Sequence, residues 1–191
     1  EKVYPPHSPF NWRTNYSIAR INDTSAVKRI GIWNTSTIPA GLSGNSLVNT
    51  GSASASLEYT FDVPENGNYE LYVFNVVAPN RNDSAKYYVR DSLGVEHIFY
   101  VDQTNNSKRR FVKLGDFKLS KGKRTPLLLT NENLKPGRSL SGDAAMIILN
   151  RRLTPDSPTS VNQSMNKIKK KEDFKLEAYP NPFNSSVKVS F

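Results

Sequence analysis

Tyr69-Glu-Leu-Tyr-Val-Phe-Asn75, introduced by the turn Pro64-Glu-Asn-Gly67, decides the fold class of this chain. Successive side chains of a strand point to opposite faces, so Tyr69, Leu71 and Val73 lie on one side and Glu70, Tyr72 and Phe74 on the other. Upstream, Ser56 to Val63 alternates in the same way through Leu57, Tyr59, Phe61 and Val63. Downstream, Ala85 to Arg90 and Val95 to Val101 are joined through Asp91-Ser-Leu-Gly94, a hairpin signal. Phe111 to Leu119, Pro126 to Thr130 and Ala144 to Asn150 follow, separated by Lys121-Gly-Lys123 and Pro136-Gly137. No stretch sustains apolar spacing at i, i+3, i+4 and i+7, so no long helix is expected. Short strands with frequent turns predict an all-β chain, an antiparallel β-sandwich of jelly-roll-like architecture.

The chain has 191 residues, enough for one well-buried domain plus attachments. It has no cysteine, which excludes disulfides, thiol nucleophiles and cysteine-ligated zinc. No apolar run is long enough to span a membrane. Glu1 is preceded by no methionine or apolar leader, so the sequence reads as a mature form or a piece of something longer.

The net charge is +9, and the excess is uneven. Between Lys108 and Arg124 lie Arg109, Arg110, Lys113, Lys118, Lys121 and Lys123, with Asp116 the single acid. A second group, Lys167, Lys169, Lys170 and Lys171, sits in a polar stretch. Such clusters either attract a polyanion or simply solvate strand edges and hairpin tips.

Four segments are expected. Residues 1–20 are proline-spotted and irregular, either a leading strand or the end of an upstream domain. Residues 21–150 carry the strand pattern. Residues 151–173, rich in Ser, Thr, Pro, Asn and Lys, bury too little to order themselves and are a linker. Residues 174–191 contain Phe174-Lys-Leu-Glu-Ala-Tyr-Pro-Asn-Pro-Phe-Asn184 and the alternating Val187, Val189 and Phe191.

Two segments resemble known families. Asn22-Asp-Thr24, Gly31-Ile-Trp33, Leu57-Glu-Tyr-Thr-Phe61, Gly67-Asn-Tyr-Glu-Leu-Tyr-Val73, Val101-Asp-Gln103, Phe111-Val-Lys-Leu-Gly115, Leu127-Leu-Leu-Thr-Asn131 and Gly142-Asp-Ala-Ala145 stand in one order. Together they resemble the golvesin C-terminal-like domain, also appended to xanthan lyases. The resemblance implies a β-sandwich accessory domain, often described as carbohydrate-binding; Phe111 stands where tryptophan is usual. Tyr179-Pro-Asn-Pro-Phe-Asn184 resembles the start of a type IX secretion C-terminal sorting domain. That implies export across the outer membrane of Bacteroidota or related bacteria, through the type IX machinery, to the surface or the medium.

No catalytic constellation can be assembled from the sequence. The two histidines are His7 and His97, too few for a three-histidine zinc site, and neither an HExxH nor a GxSxG motif occurs. His97 shares a strand face with Val95, Phe99 and Val101, the setting of a structural histidine. Asp143, ahead of an apolar strand, either bonds backbone amides or ligates calcium through an oxygen-lined loop. No catalytic residue, cofactor or metal ligand is assigned.

For binding, the alternation puts Tyr87 and Val89 inward and Lys86, Tyr88 and Arg90 outward, with Ile98 and Tyr100 opposite Phe99 and Val101. If these strands are neighbours, Tyr72, Phe74, Tyr88 and Tyr100 form one aromatic face edged by Arg90. Aromatic rings stack on the apolar faces of sugars while charged groups take hydroxyls. Trp33 is a further candidate. The expected function is therefore a non-catalytic accessory module of a secreted or surface-anchored protein, binding polysaccharide or a cell-surface glycan or mediating adhesion. No sequence-specific nucleic-acid site is expected. The alternatives are a purely structural spacer and a polyanion-binding module using the Lys108 to Arg124 cluster.

Overall fold

In a computed structural model, residues 15–51 and 53–154 are described. The expected linker from residue 155 onward, the sorting segment 174–191 and the first fourteen residues lie outside them. Twelve strands occur among the described residues. They are β1 (Tyr16–Ala19), β2 (Val27–Ile30), β3 (Asn34–Thr35), β4 (Leu47–Asn49), β5 (Ser56–Val63) and β6 (Gly67–Asn75). After these come β7 (Ala85–Arg90), β8 (Glu96–Val101), β9 (Arg110–Leu119), β10 (Gly122–Thr130), β11 (Leu140–Gly142) and β12 (Ala145–Leu149).

Their pairings build a four-stranded sheet in the order β1-β12-β6-β9 and a five-stranded sheet in the order β2-β5-β10-β7-β8. A small third sheet has the order β11-β4-β3. All strand pairs are antiparallel. The two large sheets face one another across a core contributed alternately by each strand. Leu57, Tyr59, Phe61 and Val63 enter from β5, Tyr69, Leu71 and Val73 from β6, and Tyr87 and Val89 from β7. The chain is a jelly-roll-like antiparallel β-sandwich, and the inward and outward assignments on these three strands match the sequence periodicity.

Strand β12 is buried along its whole length. Ala145, Ile147 and Leu149 join the main core, while Met146 and Ile148 pack with Tyr72 on the other side of the sheet. Alternation is therefore invisible here, as in any strand covered on both faces. On β9 the pairing with β6 shifts register between Leu71 and Tyr72, skipping Leu114. That bulge changes which residues face inward, so Val112 and Leu114 are followed by Phe117 and Leu119 in the core.

The sandwich also takes in residues that the sequence pattern left to its flanks. Strand β1, inside the expected 1–20 extension, pairs with β12 from Tyr16 opposite Ile148 to Ala19 opposite Ala145. At the far end, the Asn68 amide donates to Thr154 Oγ1 at 2.7 Å, anchoring residues just past β12.

The third sheet sends Leu47 and Leu140 into the main core and is joined to the rest by a buried guanidinium as well. Arg81, 3% exposed, donates from Nε to Ser141 Oγ on β11 at 2.5 Å. Its Nη2 donates to Ser36 Oγ at 3.1 Å and its Nη1 to Asn80 Oδ1 at 2.9 Å. No carboxylate pairs with it among the described residues, and burial lowers its affinity for its proton. Gln103 completes the joint, donating from Nε2 to the Ser141 carbonyl and accepting from the Ser141 amide, both at 2.8 Å. Ser36 also begins a loop whose far end is Ser46, and the Ser36 amide donates to the Ser46 carbonyl at 2.8 Å.

Replacing Arg81 by leucine takes a partner from the buried Ser141 hydroxyl, at a cost of roughly 1–3 kcal/mol, while Ser36 Oγ still accepts from the Ile38 amide. Arg81→Leu is expected to lower unfolding free energy in urea by about 1–3 kcal/mol, and to speed hydrogen exchange of the Leu42 amide more than that of amides in β6.

Candidate functional site

The loop that Ser36 and Ser46 close forms one wall of a cleft of about 450 Å³. The other walls are Arg20, just beyond β1, Phe74 near the end of β6, and Arg109 with Arg110 at the start of β9. Local chemistry accounts for each wall. A Cβ at Gly41 would lie 2.1 Å from the Asn45 carbonyl oxygen, so only glycine permits the tight reversal at the loop tip. Arg20 Nη1 reaches across to Ser43 Oγ at 3.2 Å. Ahead of Arg109, a single 3-10 turn over Asn106–Lys108 is capped by Asn105, whose side-chain oxygen accepts from the Ser107 amide at 3.0 Å.

Arg110 leaves that turn with φ of 76°, the one non-glycine residue in the left-handed region among the described residues. It stands opposite Asn75, the last residue of β6. One step inward, Phe74 and Phe111 pair edge to face, with centroids 5.2 Å apart and planes at 85°. Phe74 is half-buried, so its ring is both supported and accessible.

Behind the loop sits Asp143, 3% exposed, which accepts from the Leu42 amide at 2.6 Å. Sequence reasoning offered amide bonding or calcium ligation for this residue, and the amide bond is what the geometry contains. Burial pushes its carboxyl up to about 6, against the pull of the Leu42 and Ala144 amides and the nearby Arg20 charge. Among the described residues, no three acidic or histidine side chains gather as a metal-binding group would.

The single aromatic face expected from alternation does not form. Strands β6 and β7 belong to different sheets, so Tyr72 and Phe74 face away from one side of the sandwich and Tyr88, Arg90 and Tyr100 from the other. Tyr72 is 8% exposed, packed with Met146 and Ile148, and its hydroxyl donates to Glu70 Oε2 at 2.7 Å. Trp33 packs against the main core, and its indole N–H is shared between the Ile30 and Ser56 carbonyls.

On the five-stranded sheet, the Tyr88 hydroxyl donates to Glu132 at 2.5 Å, and Lys86 Nζ lies 4.6 Å above the Tyr88 ring. Lys86 also pairs with Glu132 at 2.7 Å, and that bond raises the lysine and lowers the glutamate. Arg90 pairs with Glu96 at 3.1 Å, while Tyr100, 61% exposed, stays open. His97 sits against the Phe117 ring with centroids 5.3 Å apart.

Nor is the basic stretch one patch. Arg109 and Arg110 stand at one end of the ten-residue β9, and Lys121, Lys123 and Arg124 lie past its other end. Lys113, between them, pairs with Glu70 at 3.1 Å and Asp116 at 2.8 Å. Sequence reasoning selected Phe74 for the wrong neighbours and did not single out Arg20, whose partners are distant in the chain.

The sequence profile of the Golvesin C-terminal domain matches residues 17–149. No curated protein matches the chain. Among solved structures, a xanthan lyase from Paenibacillus is similar with a TM-score of 0.64 and 19% identity, over 73% of this chain and 13% of that one. The family 35 carbohydrate-binding module from Clostridium thermocellum is similar with a TM-score of 0.47 and 16% identity, over 69% and 97%. The module named CBM35 from Cellvibrio japonicus Abf62 has a TM-score of 0.49 and 10% identity, over 70% and 92%.

Asp143 makes stability depend on pH. Its folded value lies above the 3.8 of an unperturbed aspartate, so the folded chain holds this proton more tightly than the unfolded chain. The group favours folding most below about pH 4, and that contribution, up to about 3 kcal/mol, is lost as pH rises through about 6. The stability of the native protein minus that of Asp143→Asn is therefore expected to fall between pH 4.5 and 7.5, measured by urea unfolding at each pH.

Proposed function

The chain belongs to the Golvesin C-terminal domain family, and from that premise we propose that it is a non-catalytic carbohydrate-binding module whose ligand enters the Arg20–Phe74–Arg110 cleft. The carrying observation is the pairing, in one concave site, of a supported aromatic ring with guanidinium groups that form no ion pair among the described residues. Sugars need both features, because their C–H faces stack on rings while their oxygens accept hydrogen bonds. The Tyr88 face is less suited to this role. Its lysine and arginine are paired with Glu132 and Glu96, and the Tyr88 hydroxyl is already bonded.

In this reading the parent protein is secreted or surface-anchored, and the module tethers it to a polysaccharide or a cell-surface glycan, with adhesion as the physiological outcome. The Tyr179 to Asn184 motif supports export through the type IX machinery.

Titration calorimetry of the full chain against a panel of neutral and acidic oligosaccharides tests the assignment. Phe74→Ala is expected to weaken binding at least about tenfold, ~1.4 kcal/mol, while Tyr88→Ala with Tyr100→Ala leaves it unchanged. The opposite pattern would move the site to the five-stranded sheet, and silence across the panel would leave a structural spacer.

A further inference from the structure

In the cleft, positive charge is left without an ion pair. Elsewhere among the described residues several basic side chains pair with acids, Lys28 with Glu58, Lys86 with Glu132, Arg90 with Glu96, Lys135 with Asp83 and Arg151 with Glu65, while Arg124 and Arg138 donate to backbone carbonyls. In the cleft, Arg109 and Arg110 are exposed and form no ion pair among the described residues, while Arg20 bonds the neutral Ser43 hydroxyl and lies near the buried Asp143 charge. No lining residue is acidic. Asp143, the neighbouring acid, is buried and turned to the Leu42 amide. A site for a neutral sugar needs hydrogen-bond donors and acceptors in mixture, whereas the side chains here are cationic donors around one ring.

The backbone at Arg110 points the same way. A left-handed conformation costs an L-residue with a Cβ roughly 1 kcal/mol or more, and glycine would adopt it without that cost. Six glycines in this chain occupy that region, so the fold uses glycine where it needs the conformation. Arginine at this position contradicts the local preference, which is the mark of a side chain kept for what it contacts.

We infer that the cleft binds the carboxylate of a hexuronate residue within an acidic polysaccharide, with Arg20, Arg109 and Arg110 as the carboxylate ligands and Phe74 against the sugar ring. This rests on the cleft being the carbohydrate site proposed above. Guanidinium forks match carboxylates in a way that lysine does not, and all three cations here are arginine. The net charge of +9 steers such a polymer toward the protein. A nucleic acid fits less well. It needs a basic track along its backbone and stacking platforms, and here Lys113 is paired with acids, Lys121, Lys123 and Arg124 lie past the far end of β9, and a single ring lines the cleft.

The test uses the full 191-residue chain and calorimetry with oligogalacturonate, oligoglucuronate and oligomannuronate, each beside its carboxyl-reduced neutral counterpart. At least one uronate should bind about tenfold or more tightly than its neutral counterpart. Arg109→Gln and Arg110→Gly should each reduce that preference several-fold, while Lys121→Gln with Lys123→Gln leaves it intact. Because glycine suits the backbone, Arg110→Gly should unfold at an equal or higher denaturant concentration, separating lost ligand contacts from lost fold.

Equal binding of a uronate and its neutral counterpart, with Phe74→Ala still damaging, would overturn the uronate assignment and leave the cleft as a sugar site. Binding of none of the six would overturn both. Equal binding of dextran sulfate or duplex DNA, abolished by 0.5 M salt and insensitive to Arg110→Gly, would replace the assignment with nonspecific charge attraction.

Discussion

The buried guanidinium of Arg81 is the joint on which the functional end of the sandwich depends. A cation removed from water without a counter-charge is held by hydrogen bonds alone, here to Ser36, Asn80 and Ser141. Those bonds join three segments far apart in sequence. One of them is the root of the loop that walls the cleft, so the geometry of the site is transmitted from a buried polar contact. Hydrophobic packing brings the two large sheets together and takes in Leu47 and Leu140 of the small one, and the Arg81 bonds add directional contacts to it. Shape complementarity tolerates sliding, whereas a fork with three fixed donors does not.

Charge is segregated with the same economy. On the five-stranded sheet Lys86 and Arg90 pair with Glu132 and Glu96, and on β9 Lys113 pairs with Glu70 and Asp116. Such exposed pairs add little to stability, but they leave the outer faces without a strong local field. At the cleft, the acid is placed under the surface and bonded to amides, so the arginines dominate what an approaching ligand meets. Asp143 thus shapes the loop from beneath, and its charge is felt at Arg20.

Much of the sandwich was legible in the sequence because alternation survives wherever a strand has one wet face. Leu57, Tyr59, Phe61 and Val63 on β5, and Tyr87 and Val89 on β7, lie inward as their spacing predicts. What alternation lacks is the identity of a strand's neighbour. Tyr72 and Tyr88 both point outward, yet outward on β6 and outward on β7 are opposite directions, and that parting dissolves the expected aromatic face. Periodicity also fails at β12, where both faces are covered, and at the Leu114 bulge, where the count slips by one. The cleft had no local signature, since it assembles residues 20, 39–42, 74 and 109–110. Strand β1 was obscured by its irregular, proline-bearing neighbourhood.

Arg110 carries a further consequence for how this surface changes over generations. Arginine and glycine codons are separated by a single nucleotide, so the backbone-relaxing replacement is always one mutational step away. Drift governed by folding alone would run downhill along that step and erase the guanidinium. A lineage that keeps arginine there is resisting a thermodynamic gradient, and a lineage that has let it go has given up its grip while improving its fold. This one site therefore records whether a descendant still uses the cleft, independently of how far the rest of its sequence has diverged.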